Sequence, residues 1–327
     1  MGNRAAPRIA LIGAGQMGSN HARVLAESDA AELDVIIDID AARAEDLGAR
    51  FGCRHATDID AARGCDAAVV ASPTALHLPH ARQLIEMGKP LLVEKPIAPA
   101  IEETRNVVAA SERAGTPLMC GFVERFNPVV ATVLGHLDSM PTHVVTLRHS
   151  PPTPRSTLSV VLDLLIHDID LVLHYMQQRG VERVVSASAP LDAAVPEVAD
   201  CIIAFESGSV ATLSSSRASQ RKVRSQLIET ESALYEIDLL RQDVTLYRHR
   251  GHQAIYRHGV TYRAETIIDI PFVRHGGEPL ALQLRHFVHL LEGKADAATE
   301  RASILPAHEI AGSLQSPRSV SVGGASR

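Results

Sequence analysis

The sequence predicts an α/β protein in two parts. A doubly wound parallel-sheet domain comes first, then an α+β domain with a large, mostly antiparallel open sheet. Three observations predict it. Short apolar runs alternate with helix-like segments through residues 1–121. Between residues 184 and 270, β-like runs follow one another with no helical pattern between them. And 327 residues exceed what a single hydrophobic core usually holds. Continuously apolar strands alternating with helices mean a sheet covered on both faces, whereas consecutive strands mean an antiparallel sheet.

In chain order, Arg8–Ile12 is an apolar run ending in glycines, and Gly18–Glu27 reads as a helix. Leu33–Ile37 is a second buried strand, and Asp40 is the N-cap of a helix ending near Gly52. Asp66–Ala71 is the next strand, followed by a helix from His77 to Met87. Leu91–Val93 is a strand, Ile101–Ala114 a helix closed by Gly115, and Leu118–Gly121 a strand. The first domain is therefore assigned to residues 1–121 and the second to 122–327. In the second, Pro128–Leu137 reads as a helix, Val144–Arg148 as a strand, and Leu158–Gln178 as one long helix. Strands are expected at Val184–Ala189, Cys201–Phe205, Val210–Ser216, Gln226–Thr230, Leu234–Ile237, Val244–Tyr247 and Thr266–Ile270. Helices are expected at Pro279–Glu292 and Ala302–Leu314, the latter packing back on the first domain. The Ser/Gly-rich tail from about Ser316 is expected to fray.

Composition mostly excludes. With 46% hydrophobic residues and a net charge of −6, the chain is neither disordered nor of low complexity. No apolar stretch approaches the roughly 20 residues that span a bilayer, and the N-terminal apolar run is too short for a signal peptide. The four cysteines are scattered with no C-x-x-C pair, which suits reduced thiols and a cytoplasmic location. The acidic balance argues against nucleic acid as a partner. Only four of the 32 basic residues are lysines, so a lysine within a motif draws notice.

Gly13-Ala14-Gly15-Gln16-Met17-Gly18 fits G-x-G-x-x-G. Its glycines allow a tight turn, close approach of a pyrophosphate and close helix–strand packing, and the following helix N-terminus faces the phosphates. Asp38 follows at the expected interval of about 20 residues, where its carboxylate meets a ribose 2′-hydroxyl and repels a 2′-phosphate. NAD is therefore expected rather than NADP. Ser72-Pro73-Thr74 and Glu94-Lys95-Pro96 end two further parallel strands, on the edge where open α/β sheets bind ligands. Ser72, Pro73, Thr74, His77, Glu94 and Lys95 join the glycine loop as expected cofactor contacts, with helix capping an equal alternative for Ser72 and Thr74. His77 and His80 form H-x-x-H, but no third ligand at a suitable spacing supports a metal. Lys95 can stabilise negative charge on a substrate oxygen. In a helix, Asp163 and His167 stand one turn apart, so the carboxylate can support the imidazole as a general base.

Taken in order, the glycine loop, the strand-end Glu94-Lys95-Pro96 and the later Asp163-x-x-x-His167 resemble the Gfo/Idh/MocA oxidoreductases. The resemblance implies a Rossmann domain binding NAD through Gly13, Gly15, Gly18 and Asp38, and a second domain whose open sheet forms a homodimer or homotetramer. It also implies that Lys95 contacts the reacting hydroxyl, with Asp163 as its acidic neighbour and His167 as proton acceptor. Phe122-Val123-Glu124-Arg125-Phe126-Asn127-Pro128 and the run from Val160 to Asp170 resemble the family's nucleotide-sugar 3-dehydrogenases. The implied substrate is then a sugar nucleotide such as UDP-N-acetylglucosamine, with an inositol or other sugar as the alternative. Arg125 and Asn127 would approach the sugar. Arg148, Arg155 and the cluster Arg217, Arg221, Lys222 and Arg224 would meet a diphosphate or line a solvated strand face.

Overall fold

The structure, a computed structural model, describes residues 6–152, 158–189, 195–256 and 259–315, with backbone only for 251–264. Arg155 and the tail from Ser316 fall outside the described residues. The chain divides into two compact units. The first comprises Met1–Phe126 and Gly277–Gly312, and the second Asn127–Gly276 with Ser313–Arg327. No helix among the described residues is long and apolar enough to cross a membrane.

The first unit holds β1 (Arg8–Ile12), α1 (Gln16–Ala26), β2 (Glu32–Ile37), α2 (Ala41–Phe51), β3 (Arg54–Ala56), β4 (Ala67–Val70), α3 (His77–Glu86), β5 (Leu91–Val93), α4 (Ile101–Ala114) and β6 (Leu118–Cys120). The strands form one sheet in the order β3-β2-β1-β4-β5-β6, with every neighbouring pair parallel. β4, β5 and β6 are buried at every position, as a parallel sheet covered on both faces demands. Ile9, Leu11, Val69, Leu92 and Met119 share one core cluster with Ala22 and Leu25 of α1. α2 starts at its expected N-cap, where Asp40 accepts the Arg43 N–H, and ends at the left-handed Gly52. The edge strand β3 is three largely exposed residues with no apolar run, so periodicity does not reveal it.

The second unit holds α5 (Pro128–His136), β7 (His143–His149), a π-helical turn (Val161–Leu165), α6 (Ile166–Tyr175), β8 (Val181–Ala189), β9 (Val198–Phe205), β10 (Val210–Ser216), β11 (Val223–Glu229), β12 (Leu234–Asp238), β13 (Asp243–Tyr256) and β14 (Gly259–Asp269). Its eight-stranded sheet runs β14-β13-β12-β11-β7-β10-β9-β8, antiparallel except for the β7–β10 pair. β7 and β9 alternate buried and more exposed residues, so one face carries the core and the other stays open. Every residue of α6 except His174 is buried. The chain then forms α7 (Pro279–Leu291), α8 (Ala297–Ala302) and α9 (Ile304–Ser313). Leu284, Phe287 and Val288 of α7 complete the first unit's core. The expected last helix is found as α9, and the short α8 precedes it.

Candidate functional site

Within the first unit, the candidate residues gather at the carboxyl edge of the parallel sheet. The chain leaves β1 through Gly13, whose φ of +105° and N–H bond to the Ile37 carbonyl (2.7 Å) make the tight turn. A Cβ on Gly18 would stand 1.9 Å from the Gly13 oxygen, so only glycine lets α1 approach the loop so closely. A Cβ on Gly15 would meet nothing within 4 Å. Its role is therefore not packing, and open space lies above it. Gly15 is also the N-cap of α1 and offers no side-chain acceptor, so the first-turn amides remain available for an anion. Gln16 and Met17 stand exposed on that first turn.

Asp38 closes β2 beside this loop. One carboxylate oxygen accepts the Ala14 N–H at 2.7 Å and the other the Asp40 N–H at 2.9 Å. The carboxylate is thereby aimed as well as anchored, and each oxygen keeps a lone pair for a ribose hydroxyl. The next residue, Ile39, is 88% exposed. An aliphatic side chain so bare beside the anchored Asp38 carboxylate offers a flat apolar surface to a planar ring. Its sequence signal was the dipeptide Asp38-Ile39 at a strand end.

The edge beyond β4 departs from expectation. Neither Ser72 nor Thr74 caps a helix, since the caps fall on Pro73 and Leu76 without side-chain bonds. The Ser72 hydroxyl instead lies 3.0 Å from His80 Nδ1, and burial pushes the His80 ring below its ordinary pKa. His77 is buried, with Nδ1 2.9 Å from the Pro96 carbonyl and Nε2 2.8 Å from the Ser72 carbonyl. Both ring nitrogens are engaged by backbone carbonyls. Glu94 is likewise bonded to protein groups. Its Oε1 lies 2.7 Å from His21 Nε2 of α1, and its Oε2 accepts the Lys95 N–H at 3.2 Å. Burial drives this carboxyl's pKa upward, but the adjoining His21 ring and Lys95 hold it below the usual carboxylate range. Lys95 is half-buried at the end of β5, joined to Pro96 by a cis peptide bond.

Three of the expected substrate contacts are structural. Arg125 donates to the Ser303 hydroxyl (2.8 Å) and carbonyl (3.2 Å), sits 3.6 Å from Glu300, and lies over the Phe122 ring. It ties the chain after β6 to the last helices. Asn127 is buried as the cap of α5, accepting from Val129 N–H and donating to the Leu239 carbonyl at 3.1 Å. Arg148 is 1% exposed and grips both oxygens of Asp168 at 2.7 and 3.0 Å, so it is no surface ligand for a diphosphate.

In the second unit, the expected single helix over Asp163 and His167 is a π-helical turn followed by α6. Asp163 lies in the wider turn, a device frequent at functional sites, and His167 is buried in the first turn of α6. The Asp163 carboxylate accepts from Arg217 Nη1 at 3.1 Å. Arg217 also clasps both oxygens of Glu197 at 3.0 and 3.1 Å. It is 2% exposed, so it neither meets solvent nor waits for a phosphate. In the sequence Arg217 stands in a basic cluster with Arg221, Lys222 and Arg224. Its separation from Arg221 by the turn after β10 was the available signal that it differs.

Comparison with known proteins places this arrangement. Residues 7–122 match the oxidoreductase family with an NAD-binding Rossmann fold, and residues 141–234 match the GFO/IDH/MocA C-terminal domain. The UDP-N-acetylglucosamine 3-dehydrogenase of Acidithiobacillus ferrooxidans is 28% identical over 277 residues, covering 84% of this chain and 83% of that protein. Its solved structure shares the fold at a TM-score of 0.81 and 23% identity, over 95% of this chain and 98% of that one. Myo-inositol dehydrogenase Hyg17 of Streptomyces leeuwenhoekii is 34% identical over 204 residues, 59% of this chain and 62% of that protein. The structure of GenD2 from gentamicin A biosynthesis in complex with NAD has a TM-score of 0.79 at 21% identity, over 95% of this chain and 93% of that one. With both halves matched in order and a glycine loop shaped for a dinucleotide, the chain belongs to the Gfo/Idh/MocA family of NAD-dependent oxidoreductases that act on CH–OH groups.

Proposed function

We propose that the protein oxidises the C3 hydroxyl of a nucleotide sugar of the UDP-N-acetylglucosamine type to a ketone. The observation that carries this reading is the similarity to a UDP-N-acetylglucosamine 3-dehydrogenase across 84% of the chain. The glycine loop fits the cofactor: open space above Gly15, uncapped amides at the start of α1, and the anchored Asp38 carboxylate. Bound NAD supplies the hydride acceptor. Lys95 holds the reacting oxygen and stabilises the negative charge that builds there. His167 takes the hydroxyl proton, and Asp163 supports the imidazolium that results. The 3-keto product is chemically suited to an aminotransferase.

A second reading, oxidation of an inositol, is favoured by the 34% identity to myo-inositol dehydrogenase Hyg17 over 59% of the chain. Turnover of UDP-N-acetylglucosamine, myo-inositol and glucose 6-phosphate with NAD, followed at the NADH absorbance band, separates the two. The nucleotide-sugar reading predicts the highest kcat/KM for the first, and a preference for either of the others overturns it. Further parts of the proposal are a cytoplasmic location, suited to four free thiols, and a homodimer or homotetramer. Pairing of copies through the open sheet face is supported by the exposed apolar side chains of Leu147, Val185, Ile202 and Leu227.

A further inference from the structure

We infer that His308, with His21 as its counterpart, is a positioning residue that fixes the backbone carrying Lys95. The inference rests on the role proposed for Lys95. β5 ends at Val93, and no helix begins until Ile101. Glu94 still bonds the Val70 carbonyl through its N–H at 2.9 Å, but beyond it the segment leaves the sheet, and such loops are ordinarily the mobile part of a fold. Here side chains from three helices take over. Glu94, bonded to His21 of α1 at 2.7 Å, accepts the Lys95 N–H at 3.2 Å. His77 of α3 stands 2.9 Å from the Pro96 carbonyl. His308 of α9 accepts the Ile97 N–H on Nε2 at 3.0 Å. The peptide groups on both sides of Lys95 are thus held by side chains, the last of them 211 residues distant.

The tautomer of His308 follows from its partners. The Ile304 carbonyl, 2.8 Å from Nδ1, can only accept, so Nδ1 carries the proton and Nε2 is left as the acceptor for Ile97. The ring is buried and tilted against Phe122 at 5.5 Å, and burial pushes its pKa down to about 4. It therefore stays neutral, with its acceptor open, at physiological pH. Such an arrangement exceeds what satisfying one buried amide needs. A lysine that must meet a reacting oxygen has to be held within about 0.5 Å of its productive place, and a displacement near 1 Å costs on the order of 100-fold in rate.

The test compares His308→Leu, which removes the acceptor, with His308→Gln, which keeps one, in the full-length enzyme. Two readouts are taken: steady-state kinetics with the preferred sugar, and amide hydrogen exchange over residues 94–98. For His308→Leu, kcat should fall by about 10–100-fold, with both KM values within about twofold and faster exchange at Ile97. His308→Gln should recover most of both. In a Lys95→Ala background the same substitution should add nothing further to the loss, because both act through one group. Wild-type kcat together with unchanged exchange in folded His308→Leu overturns the inference, as does an undiminished effect in the Lys95→Ala background. If His308→Leu does not fold, His21→Leu frees Glu94 and is read by the same two measurements. A different failure marks the underlying proposal. If Lys95→Ala alone turns over normally, the role of Lys95 falls, whereas hydrogen exchange still decides whether His308 orders the loop.

Discussion

Arg217 Nη1 donates to Asp163 Oδ2 at 3.1 Å while Nε and Nη2 of the same guanidinium clasp Glu197. A buried arginine thereby fixes the carboxylate proposed to support His167. Asp163 keeps 28% and Glu197 45% of its side-chain surface, so this is a partly solvated triad. Breaking it should cost less than the roughly 3–5 kcal/mol of a fully buried pair, about 1–3 kcal/mol. Arg217→Leu is expected to lose that much stability in urea unfolding and also to lower kcat, because Asp163 loses this bond. Arg217→Lys restores the charge without the fork and should recover stability only in part. A loss of stability with kcat intact would reduce the bridge to a structural tie.

The glycine loop makes a sharper pair of expectations. A Cβ at position 18 has no room, with the Gly13 oxygen 1.9 Å away, whereas one at position 15 meets nothing within 4 Å. Gly18→Ala should therefore destabilise the fold by several kcal/mol through overpacking against backbone. Gly15→Ala should leave the melting temperature nearly unchanged while raising KM for NAD by about tenfold, because the new methyl occupies the path of the pyrophosphate. Equal effects on stability from the two changes would refute this division of labour.

What the sequence made legible was local. The glycine loop, Asp38 and the Asp40 cap each declare themselves within a few residues, and β1 and β5 are found with their expected bounds. The residues misread are those whose partners lie far along the chain. Arg148 looks like a phosphate ligand until Asp168 is found on it. Arg125 sits in a motif but binds Ser303, 178 residues away. His21 and His308 drew no notice because nothing beside them in sequence hints at Glu94 or Ile97. β3 escaped for the opposite reason: it is too short and too polar to carry a period.

The buried His308 sets an acid limit on stability. Its ordinary pKa of 6.5 applies to the unfolded chain, while burial lowers it to about 4 in the fold. Between those values the unfolded state binds the extra proton, so stability is complete above pH 6.5 and declines as pH falls toward 4. The difference amounts to about 3 kcal/mol at 1.36 kcal/mol per unit. His308→Gln cannot titrate, so its stability curve should be flatter than the wild type's through this window. Parallel curves from urea unfolding at pH 7, 6, 5 and 4 would contradict the assignment.

The open sheet face carries an apolar row at right angles to its strands. Val185 faces Ile202, Ile202 faces Thr212, Thr212 faces Val145, and Val145 faces Leu227, from β8 across to β11. Val185, Ile202 and Leu227 are 49%, 48% and 36% exposed, and Leu147 beside them 38%. A stripe that is apolar except at Thr212 suits an interaction surface, and the partner proposed for it is a second copy of the chain. Leu227→Lys places a charge within that row without touching the buried face of β11, where Gln226 and Ile228 point inward. Monomer folding should therefore survive, while association weakens by about 100-fold or more from the unpaired charge. Sedimentation velocity across a range of protein concentrations reads this directly. The wild type should sediment as a dimer or tetramer and Leu227→Lys as a monomer. An unchanged sedimentation coefficient in the variant would move the interface elsewhere, and a monomeric wild type would remove it.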